Sequence, residues 1–316
     1  MAERMVERDG VELCTEPFGD PAAPPVLLVM GTGASMLWWE DGFCRMLADG
    51  GRFVIRYDHR DTGRSVTHPP GRPGYTAADL VRDAVRVLDA YEIPAAHVVG
   101  VSAGGALAQL LALGQAGRVR SLVLISTSPA VPGDLELPPP TAEFVRFVST
   151  PPGDRPEADP VIDHQVAYAR VLAGGRRPFD ETAARSLIGR DIARAHDFAA
   201  ARNHDSLPDG GLPRAPLSSI TVPTLVIHGT ADPMFPLRHG EVLAERIPGA
   251  ELLALPDAGH GVERADWATI VAAVLGHTAT GTAAAGTSSG GTSSGDTGPG
   301  GGRSGGRSVE HPGRPS

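Results

Sequence analysis

The residues of this chain best suited to chemistry are Ser102, Asp232 and His260, met in that order. Ser102 is the centre of Gly100-Val101-Ser102-Ala103-Gly104. The apolar run His97-Val98-Val99 precedes it, and Gly105-Ala106-Leu107-Ala108-Gln109-Leu110-Leu111-Ala112-Leu113, rich in strong helix formers, follows. A serine with glycine two residues away on either side, on a strand-to-helix turn, is the sequence form of a nucleophile elbow. The turn leaves no room for side chains at the flanking positions, and it holds the serine in a strained conformation with its hydroxyl clear of the sheet. The same G-x-S-x-G pattern recurs at Ser288, Ser293 and Ser304, but no apolar strand precedes those sites and no helical run follows. Those three are products of a glycine-rich composition.

A serine hydroxyl is a weak nucleophile near neutral pH and needs a histidine base, itself fixed by an acid. In the α/β-hydrolase arrangement, which this strand–elbow–helix unit resembles, the acid and then the histidine follow the serine, each on a loop after a later strand. Thr224-Leu225-Val226-Ile227 is a β-branched strand candidate that leads into His228-Gly229-Thr230-Ala231-Asp232-Pro233. Leu252-Leu253-Ala254-Leu255 is another, leading into Pro256-Asp257-Ala258-Gly259-His260-Gly261. An aspartate after a strand commonly does no more than shape a turn, and a lone histidine in a glycine-rich loop commonly carries no chemistry. Elbow, order and spacing together select Asp232 as acid and His260 as base. Asp257 is the rival acid, but it stands so close before His260 that it reads as a loop-shaping residue. His228 lies in a strand end and reads as structural.

A tetrahedral oxyanion needs two backbone N–H donors, one from the residue after the nucleophile and one from the loop after an earlier strand. Ala103 supplies the first. Pro25-Val26-Leu27-Leu28-Val29-Met30 is a near-continuous apolar strand followed by Gly31-Thr32-Gly33-Ala34-Ser35, and the Thr32 amide is the second. Dinucleotide binding by Gly31-x-Gly33 would require a further glycine where Met36 stands, so that reading fails.

These residues resemble those of the α/β-hydrolase superfamily, whose D-x-R-x-x-G-x-S segment after the fourth strand is matched by Asp58-His59-Arg60-Asp61-Thr62-Gly63-Arg64-Ser65. More narrowly, Val29-Met30-Gly31, Tyr57 through Ser65, His97-Val98-Val99-Gly100 and Thr221-Val222-Pro223-Thr224-Leu225-Val226-Ile227 look like actinobacterial hydrolases related to aclacinomycin methylesterase. The likeness spans roughly residues 1–277 and is weakest over 129–215. It implies an α/β fold: a mostly parallel eight-stranded sheet flanked by helices, with an inserted helical cap. It also implies a serine esterase of secondary metabolism that removes a methyl ester from a polyketide-type metabolite. By position, Ser102 takes the family's nucleophile role, Asp232 the acid, His260 the base, and Thr32 and Ala103 the oxyanion donors. Two departures matter. Met30 stands where a histidine commonly precedes the oxyanion glycine, and Ala103 stands where the narrower group carries methionine, which widens the pocket beside the nucleophile. The segment 58–65 itself reads as a structural turn locked by an Asp–Arg pairing and Gly63.

At 316 residues the chain is long enough for one large α/β domain with an insertion. Its 28 basic residues are all arginine, so Schiff-base catalysis and covalent pyridoxal phosphate are excluded. A net charge of −9 argues against a nucleic-acid partner. Cys14 and Cys44 make no disulfide framework, and neither a metal-ligand cluster nor a cofactor motif is visible. The opening residues lack the apolar core of a signal peptide, and no run is long enough to span a membrane. A cytoplasmic enzyme acting on a small-molecule ester is the expectation, with no cofactor, metal or membrane partner.

The elements that must position the site read as follows. An opening hairpin occupies 4–15 around Asp9-Gly10. Strands near 25–30, 53–57, 97–101 and 121–126 alternate with helices, the clearest over 77–92 with Leu80, Val81, Ala84, Val85 and Leu88 on one face. After Ser126 the chain turns proline-rich, then helical without strands. Its Phe144, Phe147, Val161, Ile162, Val166, Tyr168 and Leu172 either line an acyl pocket or pack the insertion onto the core. Alternation returns at Val222, and 262–275 gives the last helix. The core is thus expected over 1–128 and 216–277, a helical cap over 129–215, and a disordered Gly/Ser/Thr/Pro-rich tail over 278–316.

The triad leaves the acyl and alcohol groups open. Lactone, amide or C–C bond hydrolysis, acyl transfer and perhydrolysis can use the same residues, and a receptor that has lost turnover is a separate class.

Overall fold

The opening hairpin forms because Asp9 and Gly10 both take positive φ, 53° and 74°, between strands β1 (Arg4–Arg8) and β2 (Val11–Phe18). Two such residues make the two-residue turn whose twist matches antiparallel strands. The computed structural model describes residues 2–131, 133, 136–150 and 159–280. Residues 151–158 of the insertion, and the tail with Ser288, Ser293 and Ser304, lie outside the described residues.

Six more strands complete one sheet: β3 (Pro25–Val29), β4 (Phe53–Tyr57), β5 (Ala96–Val101), β6 (Val119–Ile125), β7 (Thr224–Gly229) and β8 (Glu251–Leu255). Their order is β1-β2-β4-β3-β5-β6-β7-β8, antiparallel through β2 and β4 and parallel from β4 to β8. The parallel strands β3 to β7 are buried on both faces because helices cover both, whereas the edge strand β8 is largely exposed. On β3, Leu27 and Val29 enter one core, shared with α2 (Ala77–Ala90), α3 (Ala103–Gly114) and α7 (Arg238–Arg246). Val26 and Leu28 enter the other, shared with α1 (Asp41–Asp49) and α8 (Trp267–Thr280). Each fully buried Leu or Ile in these layers contributes about 1.5–3 kcal/mol. Helix α2 starts where Thr76 and Asp79 form a reciprocal capping box, and Leu80, Val81, Ala84 and Leu88 face the first core.

The insertion carries α4 (Ala142–Val148), α5 (Pro160–Leu172) and α6 (Glu181–Arg194), then a 3-10 segment, Phe198–Ser206. Thr141, Asp159 and Asp180 cap the three helices through side-chain oxygens.

The last helix departs from the sequence reading at both ends. It begins at Trp267 rather than 262, after a 3-10 turn at Arg264–Asp266, and it runs to Thr280 rather than 275. Thr278, taken above as the first tail residue, is fully buried; its hydroxyl donates to Val274 O at 2.8 Å and accepts from Arg52 Nε at 2.8 Å. Among the described residues no helix is long and apolar enough to cross a membrane.

Candidate active site

The central strand β5 ends at Val101 and α3 starts at Ala103, so Ser102 alone makes the turn, with φ 55° and ψ −123°. A Cβ on Gly100 would stand 2.3 Å from Gly104 O, and one on Gly104 would stand 2.2 Å from Val29 O. Only glycine fits at either position. Ser102 N donates to Ile125 O at 3.0 Å, while Ser102 O accepts from Gly105 N at 2.9 Å and from Thr127 Oγ1 at 2.7 Å. The strained residue is therefore held from both sides.

Asp232 follows β7 and is buried. Its Oδ1 accepts from the Met234 and Phe235 amides at 2.9 and 2.8 Å, which leaves Oδ2 to accept from His260 Nδ1 at 2.8 Å. That bond puts the His260 proton on Nδ1 and leaves Nε2 free to take a proton from a hydroxyl. His260 follows β8; its own N–H donates to Leu172 O of α5 at 2.8 Å, and Phe235 stands edge-on to its ring at 5.5 Å. Ser102 and His260 line the same cavity.

The rival acid sits elsewhere, whereas His228 stands behind Asp232, its Nε2 3.6 Å from Asp232 Oδ2. Asp257 is exposed at a turn with φ 57°, its N–H donating to Thr230 Oγ1 at 2.8 Å. His228 is buried within β7, donates from Nε2 to Phe235 O at 2.7 Å, and is kept neutral by burial, which lowers its pKa. It braces the Asp232 loop.

Thr32 and Ala103 also line the cavity. As the first residue of α3, Ala103 has an N–H with no preceding turn to bond. The Thr32 loop passes against the elbow: a Cβ on Gly31 would lie 3.2 Å from Ser102 Cβ. The cavity has a volume of about 780 Å³ and a mainly apolar wall. Ser102, His260, Thr32 and Ala103 all line it, residue types able together to attack a carbonyl, hold an oxyanion and return a proton.

Comparison with known proteins agrees with this fold. Residues 24–262 match the family described as alpha/beta hydrolase fold. The chain belongs to the α/β-hydrolase family. Rhodomycin D methylesterase DauP of Streptomyces sp. (strain C5) is 36% identical over 89% of this chain and 100% of its own length. Rhodomycin D methylesterase DnrP of Streptomyces peucetius is 34% identical over 89% and 100%. A crystal structure of a hydrolase from Pseudomonas aeruginosa PA01 superposes with a TM-score of 0.61 at 27% identity, covering 89% of this chain and 98% of that one.

In this α/β hydrolase the Asp–Arg pairing inside the segment from Asp58 to Ser65 is made to the Arg64 backbone N–H rather than to a guanidinium, and the arginine side chains reach outward. Arg60 pairs with Asp83 of α2 through two bonds of 2.7 and 2.8 Å. Asp58 accepts from Met36 N and Arg64 N and lies 2.7 Å from Arg194 at the end of α6. Gly63, at φ 51°, is obligatory: a Cβ there would stand 2.2 Å from the Arg194 guanidinium and 2.3 Å from Asp58 Oδ2. The segment thus fastens the cap to the core.

Of the seven apolar cap residues named from sequence, only Tyr168 and Leu172 reach the cavity. Phe147 stacks on Tyr168 and Phe144 meets it tilted, which packs the cap on itself, and Val161 is 49% exposed. The wall is instead closed by Trp38, Phe179, Leu187, Phe198, Met234 and Phe235. Sequence reasoning also missed Asp191 of α6, which lines the cavity, accepts from Trp38 Nε1 at 2.8 Å, and has its pKa pushed up by burial. No local signal marks it, because its partner lies in a different part of the chain.

Proposed function

We propose that this carboxylic ester hydrolase cleaves a methyl ester of a bulky polyketide-type acid through a Ser102–His260–Asp232 triad. Ser102 Oγ attacks the ester carbonyl while His260 Nε2 takes its proton, and the Thr32 and Ala103 amides hold the oxyanion. His260 then protonates the departing methanol, leaving an acyl-enzyme on Ser102. Water, deprotonated by the same imidazole, attacks the acyl carbon and releases the acid. Asp232 keeps His260 in the Nδ1–H tautomer and stabilises its charged form.

The observation that carries this reading is the shared cavity: Ser102, His260, Thr32 and Ala103 on one apolar-walled space of about 780 Å³, large enough for a ring system. The full-length likeness to two rhodomycin D methylesterases supports a methyl ester as the scissile group. The test is methanol release from methyl esters of polycyclic aromatic acids by purified protein, with p-nitrophenyl acetate as a minimal substrate and Ser102→Ala as control. Turnover of both substrates is expected, falling by about 10⁴–10⁶ in the variant. A variant that keeps most activity, or a fluorophosphonate that labels another serine, overturns the nucleophile. A wild-type protein that binds these esters but turns over neither is a receptor.

A further inference from the structure

The loop from Met30 to Gly33 belongs to no helix or strand, yet it carries the Thr32 amide that must point at a developing charge. Backbone outside regular structure is positioned by whatever its polar groups bond to. Two histidines hold this loop from outside it. His59, just after β4, has Nε2 at 2.9 Å from Met30 O. His204, in the cap's 3-10 segment, accepts from Gly33 N at its Nδ1, 3.1 Å away, and donates from Nε2 to Arg60 O at 2.8 Å. The two rings meet edge to face at 5.8 Å. Thr32 lies between the two anchored residues.

We propose that His204 is a positioning residue for ester hydrolysis: it reaches from the cap to fix the Gly33 amide and thereby aims the Thr32 N–H at the oxyanion. The inference rests on the reading of Thr32 as an oxyanion donor. Three features carry it. Both bonds of His204 use one tautomer, with the proton on Nε2, so the ring bridges the loop and the segment after β4 without conflict. Its neighbour Asn203 is fixed by Asp61 at 2.7 Å, Pro69 O at 3.3 Å and Gly71 N at 2.6 Å, so the segment presenting His204 is itself held. Burial lowers the pKa of His204, which keeps Nδ1 available as an acceptor. The role differs from substrate binding. An oxyanion donor acts on the transition state, whereas the cavity wall acts on ground state and transition state alike.

Two isosteric variants separate the bonds. In His204→Asn the side-chain oxygen can stand where Nδ1 stood, and in His204→Gln the amide nitrogen can stand where Nε2 stood. His204→Gln is expected to lower kcat on p-nitrophenyl acetate by about 10–100-fold, part of the ~10²–10³ lost with a whole oxyanion donor, with KM within about twofold. An alkyl boronic acid, which forms a tetrahedral adduct on a serine oxygen, should bind His204→Gln more weakly by the same factor. Inhibition by acetate, a planar product, should not change. His204→Asn should recover most of the lost kcat even where its thermal midpoint falls as far as that of His204→Gln. Equal kcat losses in the two variants, a loss confined to KM, or unchanged boronate affinity overturns the role of His204. A boronate that fails to bind the wild type, or a fully active Ser102→Ala, overturns the underlying site reading instead.

Discussion

Replacing Ser102 by glycine should stabilise this protein relative to replacing it by alanine, although both variants lack the proposed nucleophile. Ser102 sits at φ 55° and ψ −123°, a region that residues with a Cβ enter at a cost of about 1–3 kcal/mol. Alanine keeps the Cβ and therefore the strain. It also loses no helix cap, because the Ser102 side chain makes no cap hydrogen bond to α3. Glycine removes the strain but gains freedom in the unfolded chain, which costs roughly 0.5–1 kcal/mol. The difference favours Ser102→Gly by up to about 2.5 kcal/mol, centred near ~1 kcal/mol.

At roughly 2–4 °C per kcal/mol for domains of this size class, the thermal midpoint of the glycine variant should lie a few degrees above that of the alanine variant. Matched calorimetry and urea titration of the two inactive proteins read this directly, with no difference in turnover to confuse the comparison. The reasoning fails if Ser102→Gly is the less stable by about 0.5–1 kcal/mol, the result expected when only unfolded-state entropy acts. That outcome would mean that the bonds to Ile125 O and Thr127 impose no strain at the elbow.

Two further pairs of perturbations test the acid and the last helix. Asp232→Asn should lower kcat by about 10³–10⁴ by favouring the wrong His260 tautomer, while Asp257→Asn, at an exposed turn, should change kcat by less than about twofold. Matched kinetics that reverse this order would move the acid to Asp257. Ending the chain after Thr280 should leave the thermal midpoint and esterase activity unchanged. Ending it after His277 strips Arg52 of its Thr278 partner and should cost about 1–3 kcal/mol, read as a lower urea midpoint.

What could be read from the chain alone divides by the range of the interactions involved. The elbow was legible because strand run, flanking glycines and helix formers are contiguous; the steric demand on Gly100 arises within the turn itself, whereas that on Gly104 comes from the carbonyls of Val29 and Met30, distant in sequence. The α/β architecture was legible from the alternation of apolar runs with amphipathic segments such as α2. Helix α8 was misplaced because polarity was taken for exposure. Thr278 looks like tail, yet its hydroxyl bonds back to Val274 O and is capped by Arg52, so it is core by partnership.

The same error hid the links between cap and core. Hydrophobic periodicity reports which apolar groups leave water, and of the seven cap residues it offered only Tyr168 and Leu172 line the cavity, while Phe144, Phe147 and Val161 do not. The contacts that join the cap to the site are polar and distant in sequence: Arg194 to Asp58, His204 to the Gly33 amide across 171 residues, and Leu172 O to the His260 amide. A polar side chain in an inserted helix is ordinarily solvated, so nothing in its type announces such a partner. Gly63 came closest to doing so. Its glycine was read as turn chemistry, but what forbids a Cβ there includes the guanidinium of Arg194, a residue of the cap. The motif after β4 therefore records, in one glycine, that the cap is fastened beside the place where the Met30–Gly33 loop is also held.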